Sequence, residues 1–204
     1  MGSVESLTNV KKIVENINEP VVVVVSALGG ITDRLIRTSQ LAVTGDDNYR
    51  NEFDAMVDRH HGIKLFDYHL ENPRDLSGEI APLKAKVDAL LDELRSIYHG
   101  VYLIRDMTQK TANVIVSYGE RMSSQIVSAF IEGSQCYDSR EFIKTVRKQN
   151  RNLVDFDVTI RLVIQTFARM PRIAVVPGFI ASDANDGETT NLGRGGSDYT
   201  AAII

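Results

Sequence analysis

Val4, Leu7, Val10, Ile13, Val14 and Ile17 step along the chain by three and four residues, which predicts an amphipathic helix with Ser3 placed to cap it. Pro20 stops that helix. The unbroken apolar run Val21 to Val25, closed by Ser26, then reads as a parallel strand buried on both faces. Gly29-Gly30 makes a tight turn, and a second helix begins near Thr32 or Asp33. Tyr49, Phe53, Met56, His60 and Ile63 predict a helix from Asn48 to about Phe66, with Pro73 in a loop beyond it. Ile80, Leu83, Val87, Leu90, Leu94 and Ile97 predict another, with Gly100 as its C′ residue. Thr108 caps a long helix to Ile131, stopped by Gly133. Inside it, Gly119 costs about 1 kcal/mol relative to alanine. A short strand at Cys136–Tyr137, a helix over Val158–Phe167 and a buried strand over Ile173–Val176 follow. Asp186-Gly187 predicts a hairpin between Phe179–Ser182 and Glu188–Leu192.

Strand, glycine turn and helix in sequence define an α/β chain with a parallel sheet. The stretch from about Val43 to Gly100 carries only helical periods, so it reads as a helical excursion packed on the sheet edge. No flexible linker sets it apart as a domain. The run Tyr199 to Ile204 reads as the first turns of a helix, and the chain starts directly on an amphipathic helix. Both ends therefore look cut short.

Composition narrows the class further. The 204 residues are 43% hydrophobic and 25% charged, with a net charge of −4, which is ordinary globular usage and no nucleic-acid surface. The longest apolar run is too short to cross a membrane, and the first residues lack a signal peptide's basic and apolar regions. Cys136 is the single cysteine, so no internal disulfide forms, and a cytoplasmic home is expected.

Several motif matches fail. There is no P-loop, and Gly193-Arg194-Gly195-Gly196 lacks the third glycine of a dinucleotide fingerprint. Thr111 stands where the protein-kinase loop echoed by Ile104-Arg105-Asp106 needs asparagine. Asp183 to Gly187 sets its glycine one place early for a calcium loop. His60-His61 are neighbours on a helix and cannot share a ligand, so one is expected inward and one in solvent. No metal ligand is expected.

Three constellations remain, each at the end of an element. The first is Ser26-Ala27-Leu28-Gly29-Gly30-Ile31-Thr32, in the crevice at a strand's C-terminal end where α/β sheets bind ligands. Its glycines allow backbone N–H groups near an anion, and Ser26 and Thr32 add hydroxyls. A tight turn alone would explain it equally. The second, Ser117 to Arg121, sets Glu120 beside a mid-helix glycine, where it could hold an ammonium group or simply pair with Arg121 in solvent. The third, Thr189 to Asp198, sets Arg194 among glycines before a helix start. An arginine fork binds a carboxylate, and the amides of Gly195, Gly196 and Ser197 would face an anion, while Asp198 could only cap the helix. Together these groups match those of an acidic amino acid. A carboxylate acceptor is already ionised at neutral pH, so its phosphorylation needs positioning and charge neutralisation rather than a general base.

At these residues the chain resembles the aspartokinases, of the amino-acid-kinase fold. Val25 to Asp33 resembles the family's Ser-Ala-x-x-Gly-x-Thr turn. Ser117 to Arg121 resembles its Ser-Phe-Gly-Glu-Arg helix with Tyr118 for phenylalanine. Pro177-Gly178-Phe179 and Thr189 to Ala201 resemble its Pro-Gly-Phe and Thr-Leu-Gly-Arg-Gly-Gly-Ser-Asp-Tyr-Thr-Ala segments, with Asn191 where threonine is usual. The resemblance implies a three-layer α/β/α sandwich with a mainly parallel sheet, the carbamate-kinase-like architecture. Its implied activity is ATP- and Mg²⁺-dependent phosphorylation of L-aspartate to 4-phospho-L-aspartate, opening lysine, threonine and methionine biosynthesis. Ser26, Thr32, Glu120, Arg194 and Ser197 would bind aspartate. Gly29, Gly30, Gly195 and Gly196 would meet phosphate, and Asp198 with Arg194 would organise transfer. Residues 1–204 would form the amino-acid-binding half of the kinase domain, and the long helical excursion looks like the longer aspartokinases. The family's first strand, Lys-Phe-Gly-Gly-Thr-Ser-Val, and its nucleotide-binding half would be missing, leaving this chain inactive alone and a homo-oligomer expected at full length. Other readings are a non-catalytic amino-acid sensor or another enzyme of the same fold, such as a glutamate kinase.

Overall fold

The computed structural model describes residues 4–62, 77–149 and 151–204. Ser3, Ile63, Phe66 and Pro73, which enter the sequence reading, lie outside them. In chain order the elements are α1 (Val4–Glu15), β1 (Val21–Val25), α2 (Ile31–Thr44), α3 (Tyr49–His61), α4 (Ser77–Ile104) and α5 (Gln109–Phe130). Then come β2 (Ser134–Cys136), a 3₁₀ turn (Ser139–Glu141), β3 (Lys144–Lys148), β4 (Arg151–Val154), α6 (Phe156–Phe167), β5 (Ile173–Pro177), β6 (Ile180–Asp183), β7 (Thr189–Asn191) and α7 (Gly196–Ile203).

β5 lies between β1 and β2, and both pairings are parallel, with Val21 opposite Ile173 and Cys136 opposite Val175. Alternation along β1 divides the core. Val21, Val23 and Val25 face a large cluster with Leu7, Ile31, Leu35, Tyr98 and Ile126 from α1, α2, α4 and α5. Val22 and Val24 face a smaller one with Val163 and Phe167 of α6 and Ile204. Helices therefore cover both faces of the sheet, the three-layer arrangement expected. A second sheet, ordered β4-β3-β6-β7, is mixed: β3 and β6 run parallel while β3–β4 and β6–β7 are antiparallel.

The structure corrects several boundaries. Gly100 does not end its helix. α4 runs on to Ile104 because Tyr98 and Val101 stay buried against the core, and the chain turns at Arg105, whose φ is 54°. The Arg105 guanidinium then donates to the Thr44 carbonyl at 3.0 Å, tying the end of α4 to the end of α2. The excursion packs on helices α2 and α5, not on the sheet edge. The β3–β4 hairpin has no counterpart in the sequence reading. Lys144-Thr145-Val146-Arg147-Lys148 carries too few apolar residues to show a period, and only Thr145 is fully buried. Other expectations hold. Thr108 caps α5, its hydroxyl accepting the Thr111 N–H at 3.2 Å. The turn before β7 carries Gly187 at φ 73°. His60 is 2% exposed, while His61 faces outward to Asp88 at 2.6 Å.

Candidate functional site

The three constellations meet at the C-terminal ends of β1 and β5. Ser26 follows the last residue of β1 and is exposed, whereas Ala27 and Leu28 turn inward. Gly30, at φ 81°, supplies the left-handed residue from which α2 starts. α5 rests directly on this turn. A Cβ on Gly119 would come within 2.8 Å of the Ala27 Cβ, so only glycine permits the approach. That approach brings the Glu120 Oε1 to the Ala27 N–H at 3.2 Å, and the Ser123 hydroxyl donates to the Ser26 carbonyl at 2.8 Å.

The opposite wall is built from the corner after β5 and the loop before α7. The Gly178 N–H donates to the Val25 carbonyl at 2.8 Å, bringing that corner alongside β1. Phe179 follows in the left-handed region at φ 65°, uncommon for a residue with a side chain. Thr200 of α7 holds it there, accepting the Phe179 N–H at 3.1 Å and donating to the Gly196 carbonyl at 2.9 Å. The Asn191 Oδ1 accepts the Gly193 N–H at 3.2 Å, and its Nδ2 donates to the Asn113 Oδ1 of α5 at 2.9 Å, so the Gly193–Gly195 loop is tied to the helix that carries Glu120. The Ser26 and Ser197 hydroxyls bond across the gap at 2.8 Å.

The result is one cleft of about 310 Å³ lined by Ser26, Thr32, Glu120, Phe179, Arg194, Ser197, Asp198 and Gly193, Gly195 and Gly196. Every residue expected to bind an amino acid is in it. Gly29 and Gly30 are not. They make the exposed turn that places Ser26 and Thr32, outside the cleft's lining. The Gly196 amide is also not free for an anion, because it donates to the Gly193 carbonyl at 3.0 Å. The amides of Ser197 and Asp198, in the first turn of α7, have no carbonyl within the helix to bond. Asp198 makes no side-chain cap there. Phe179 and the positioning groups Ser123, Thr200 and Asn113 escaped the sequence reading. Phe179 ends the Pro177-Gly178-Phe179 segment, but its part in the wall depends on its backbone angle.

The electrostatics are uneven. Glu120 is 4% exposed, and its Oε2 has no hydrogen-bond partner. Burial pushes its pKa from an ordinary 4.5 up to about 7, opposed in part by the Ala27 N–H. Arg121 does not pair with it; its guanidinium goes to Glu93 at 3.4 Å and lies over the Tyr118 ring at 4.4 Å. Among the described residues, Arg194 is exposed, enters no ion pair, and is the only Lys or Arg lining the cleft. A buried carboxyl, an exposed guanidinium and three hydroxyls in one cleft can hold a zwitterion that carries an additional anionic group.

A strand-end cleft between layers, closed by a glycine loop at a helix N-terminus, is the crevice where open α/β proteins bind small anionic ligands. The sequence model of the Amino acid kinase family matches residues 1–204, and the chain belongs to that family. Within it, the chain is 33% identical over 212 residues to a chloroplastic bifunctional aspartokinase/homoserine dehydrogenase of Daucus carota, covering 100% of this chain and 22% of that protein. It is 26% identical over 215 residues to chloroplastic aspartokinase 1 of Arabidopsis thaliana, covering 100% of this chain and 36% of that protein. The E. coli aspartokinase III structure with aspartate and ADP superposes with a TM-score of 0.78 at 26% identity, covering 99% of this chain and 43% of that chain. The chain thus spans between about a fifth and two-fifths of the length of these proteins. The plant relatives are chloroplastic, which overturns the cytoplasmic expectation. A lone cysteine speaks only to the absence of an internal disulfide, and more than one compartment satisfies that.

Proposed function

We propose that this chain is the amino-acid-binding part of an aspartate kinase, and that its cleft holds L-aspartate for phosphorylation of the side-chain carboxylate. The observation that carries this reading is the convergence of Glu120, with a buried unpartnered oxygen, and the unpaired Arg194 in one cleft of about 310 Å³. Glu120 receives the substrate ammonium, and the Arg194 fork takes a carboxylate through two N–H donors. Ser26, Thr32 and Ser197 supply hydroxyls in the same cleft. The acceptor carboxylate needs no base, so these residues act by orientation and charge.

Mg-ATP would supply the transferred phosphoryl group. Magnesium keeps several waters and takes one or two carboxylates along with phosphate oxygens. Asp198 is the exposed carboxylate of the cleft, and no group of three His, Cys, Asp or Glu ligands occurs among the described residues. That donor set fits a metal carried in on the nucleotide. The Ser197 and Asp198 amides and the α7 N-terminus would face the anionic phosphates. As the product, 4-phospho-L-aspartate would open lysine, threonine and methionine biosynthesis.

Calorimetry of the 204-residue chain with L-aspartate tests the reading. Arg194→Ala should weaken binding by about 2–5 kcal/mol, the cost of leaving a charged group unpaired. Arg194→Lys should recover only part, because an ammonium lacks the planar fork. Undiminished binding in the lysine variant would remove the bidentate role, and a preference for glutamate would move the chain to another branch of the family. The chain alone should release no ADP in the presence of aspartate, since the only cation among the described residues of its cleft is already engaged by the substrate.

A further inference from the structure

Arg194 sits in a tight turn whose two ends are held by different means. The Gly193 carbonyl accepts the Gly196 N–H at 3.0 Å, with the left-handed Gly195, at φ 75°, in the third position. The far end rides on α7, because the Gly195 carbonyl accepts the Tyr199 N–H at 3.0 Å. The near end is Gly193, exposed and left-handed at φ 73°, so packing does little to confine it. What confines it is a pair of side-chain amides. A carboxamide carries an acceptor and a donor in one planar group. Asn191 uses both: its Oδ1 accepts the Gly193 N–H at 3.2 Å, and its Nδ2 donates to the Asn113 Oδ1 at 2.9 Å. Asn113 is 7% exposed, and the same oxygen accepts the Gln109 Nε2 from one turn earlier in α5 at 3.0 Å. It therefore cannot rotate away without leaving two donors. Neither Asn113 nor Asn191 lines the cleft, and Asn191 stands where aspartokinases usually carry threonine.

We infer that Asn113 and Asn191 are positioning residues for Arg194, holding the start of its turn against α5 so that the guanidinium is placed before the ligand arrives. Asn113 and Glu120 are both buried and lie two helical turns apart on one face of α5. The helix is thus a rigid bar that sets the arginine turn relative to the carboxyl in the same cleft. A glycine-flanked loop that had to order on binding would cost conformational entropy, and the amide pair removes that cost in advance. The pair touches no ligand and acts only through the turn. The inference takes its ligand from the aspartate reading, whereas the hold on Gly193 is a property of the free chain.

Amide hydrogen exchange, followed by NMR on the free 204-residue chain, tests the hold without a ligand. Asn113→Leu has the same branched shape but offers no acceptor. In it the Gly193 amide should exchange at least about threefold faster than in wild type, while the amides of β5 keep their rates. Asn113→Asp keeps the oxygen acceptor and should restore the protection. Chemical-shift titration with L-aspartate then tests the action on Arg194. Asn113→Leu should weaken binding about three- to tenfold, the worth of one such hydrogen bond. The factor should be the same at pH 5, 6 and 7, because arginine stays charged throughout. A loss that changes across that range would place the role of Asn113 on Glu120 and overturn the inference. An unchanged Gly193 exchange rate would overturn it too. If the leucine variant does not fold, the half-buried Asn191→Ala carries both measurements with the same expectations. A wild-type chain that binds no aspartate would remove the aspartate reading, and the exchange rates would still decide whether the pair holds the turn.

Discussion

Glu120 shows how one side chain takes its chemistry from its surroundings. The sequence allowed it to be a solvated partner of Arg121, and the fold instead buries it with a pKa raised from 4.5 to about 7. The direction of the linkage follows. Between pH 4.5 and 7 the unfolded chain releases this proton before the folded chain does. Folding therefore holds a proton, and stability falls as pH rises through that window, by roughly 3 kcal/mol at most. Urea denaturation of wild type and Glu120→Gln at pH 4, 6 and 8 should show this loss in wild type and none of it in the glutamine variant. Parallel curves would place the carboxyl in a wetter environment. A bound ammonium reverses the trend, since a nearby cation favours the ionised form. Aspartate should bind more tightly as pH rises toward 7 and release up to one proton at pH 6. Calorimetry in buffers of different ionisation enthalpy measures that proton directly.

Among the elements, α5 carries the site because it touches the β1–α2 turn at a glycine. The sequence showed Gly119 only as a weak point in a helix, but its close approach to Ala27 explains why the weakness is kept. Gly119→Ala would gain about 1 kcal/mol of helix propensity. It would also force a Cβ to 2.8 Å from the Ala27 side chain, with Ile31 and Leu35 behind at 3.5 and 3.4 Å. Overpacking of this kind costs about 1–3 kcal/mol. The variant should therefore be less stable in urea, and its aspartate affinity should fall as the Ala27 N–H moves off Glu120. A stabilised variant would mean that α5 can slide without loss. The hairpin β3–β4 was invisible to the same reading for a different reason. Its strands are polar and short, and they are fixed by pairing with β6 rather than by an apolar period of their own.

At the scale of the whole molecule, β1 and β5 belong to both core clusters at once, since alternate residues face opposite helix layers. Neither cluster can lose its packing without stripping one face of the shared strands. Unfolding in urea should therefore be a single transition, coincident by far-UV circular dichroism and by the fluorescence of the seven tyrosines, with no tryptophan to mask them. Separate midpoints would show that the layer made by α6 melts on its own. The sequence by itself determined the parallel α/β class, most helices, the buried strands and most of the residues that line the cleft. These are written in local periods, in glycines at turns, and in residue types that suit one ligand. Only the tertiary structure decided that Glu120 is buried rather than paired with Arg121, that Gly29 and Gly30 shape the turn outside the cleft, and that the Gly196 amide is already taken. It also decided that Phe179 closes the wall and that Phe156, Ile160 and Ile164 of α6 face outward. Burial, hydrogen-bond choice and the approach of distant segments are set by contacts between residues far apart along the chain, and no local pattern records them.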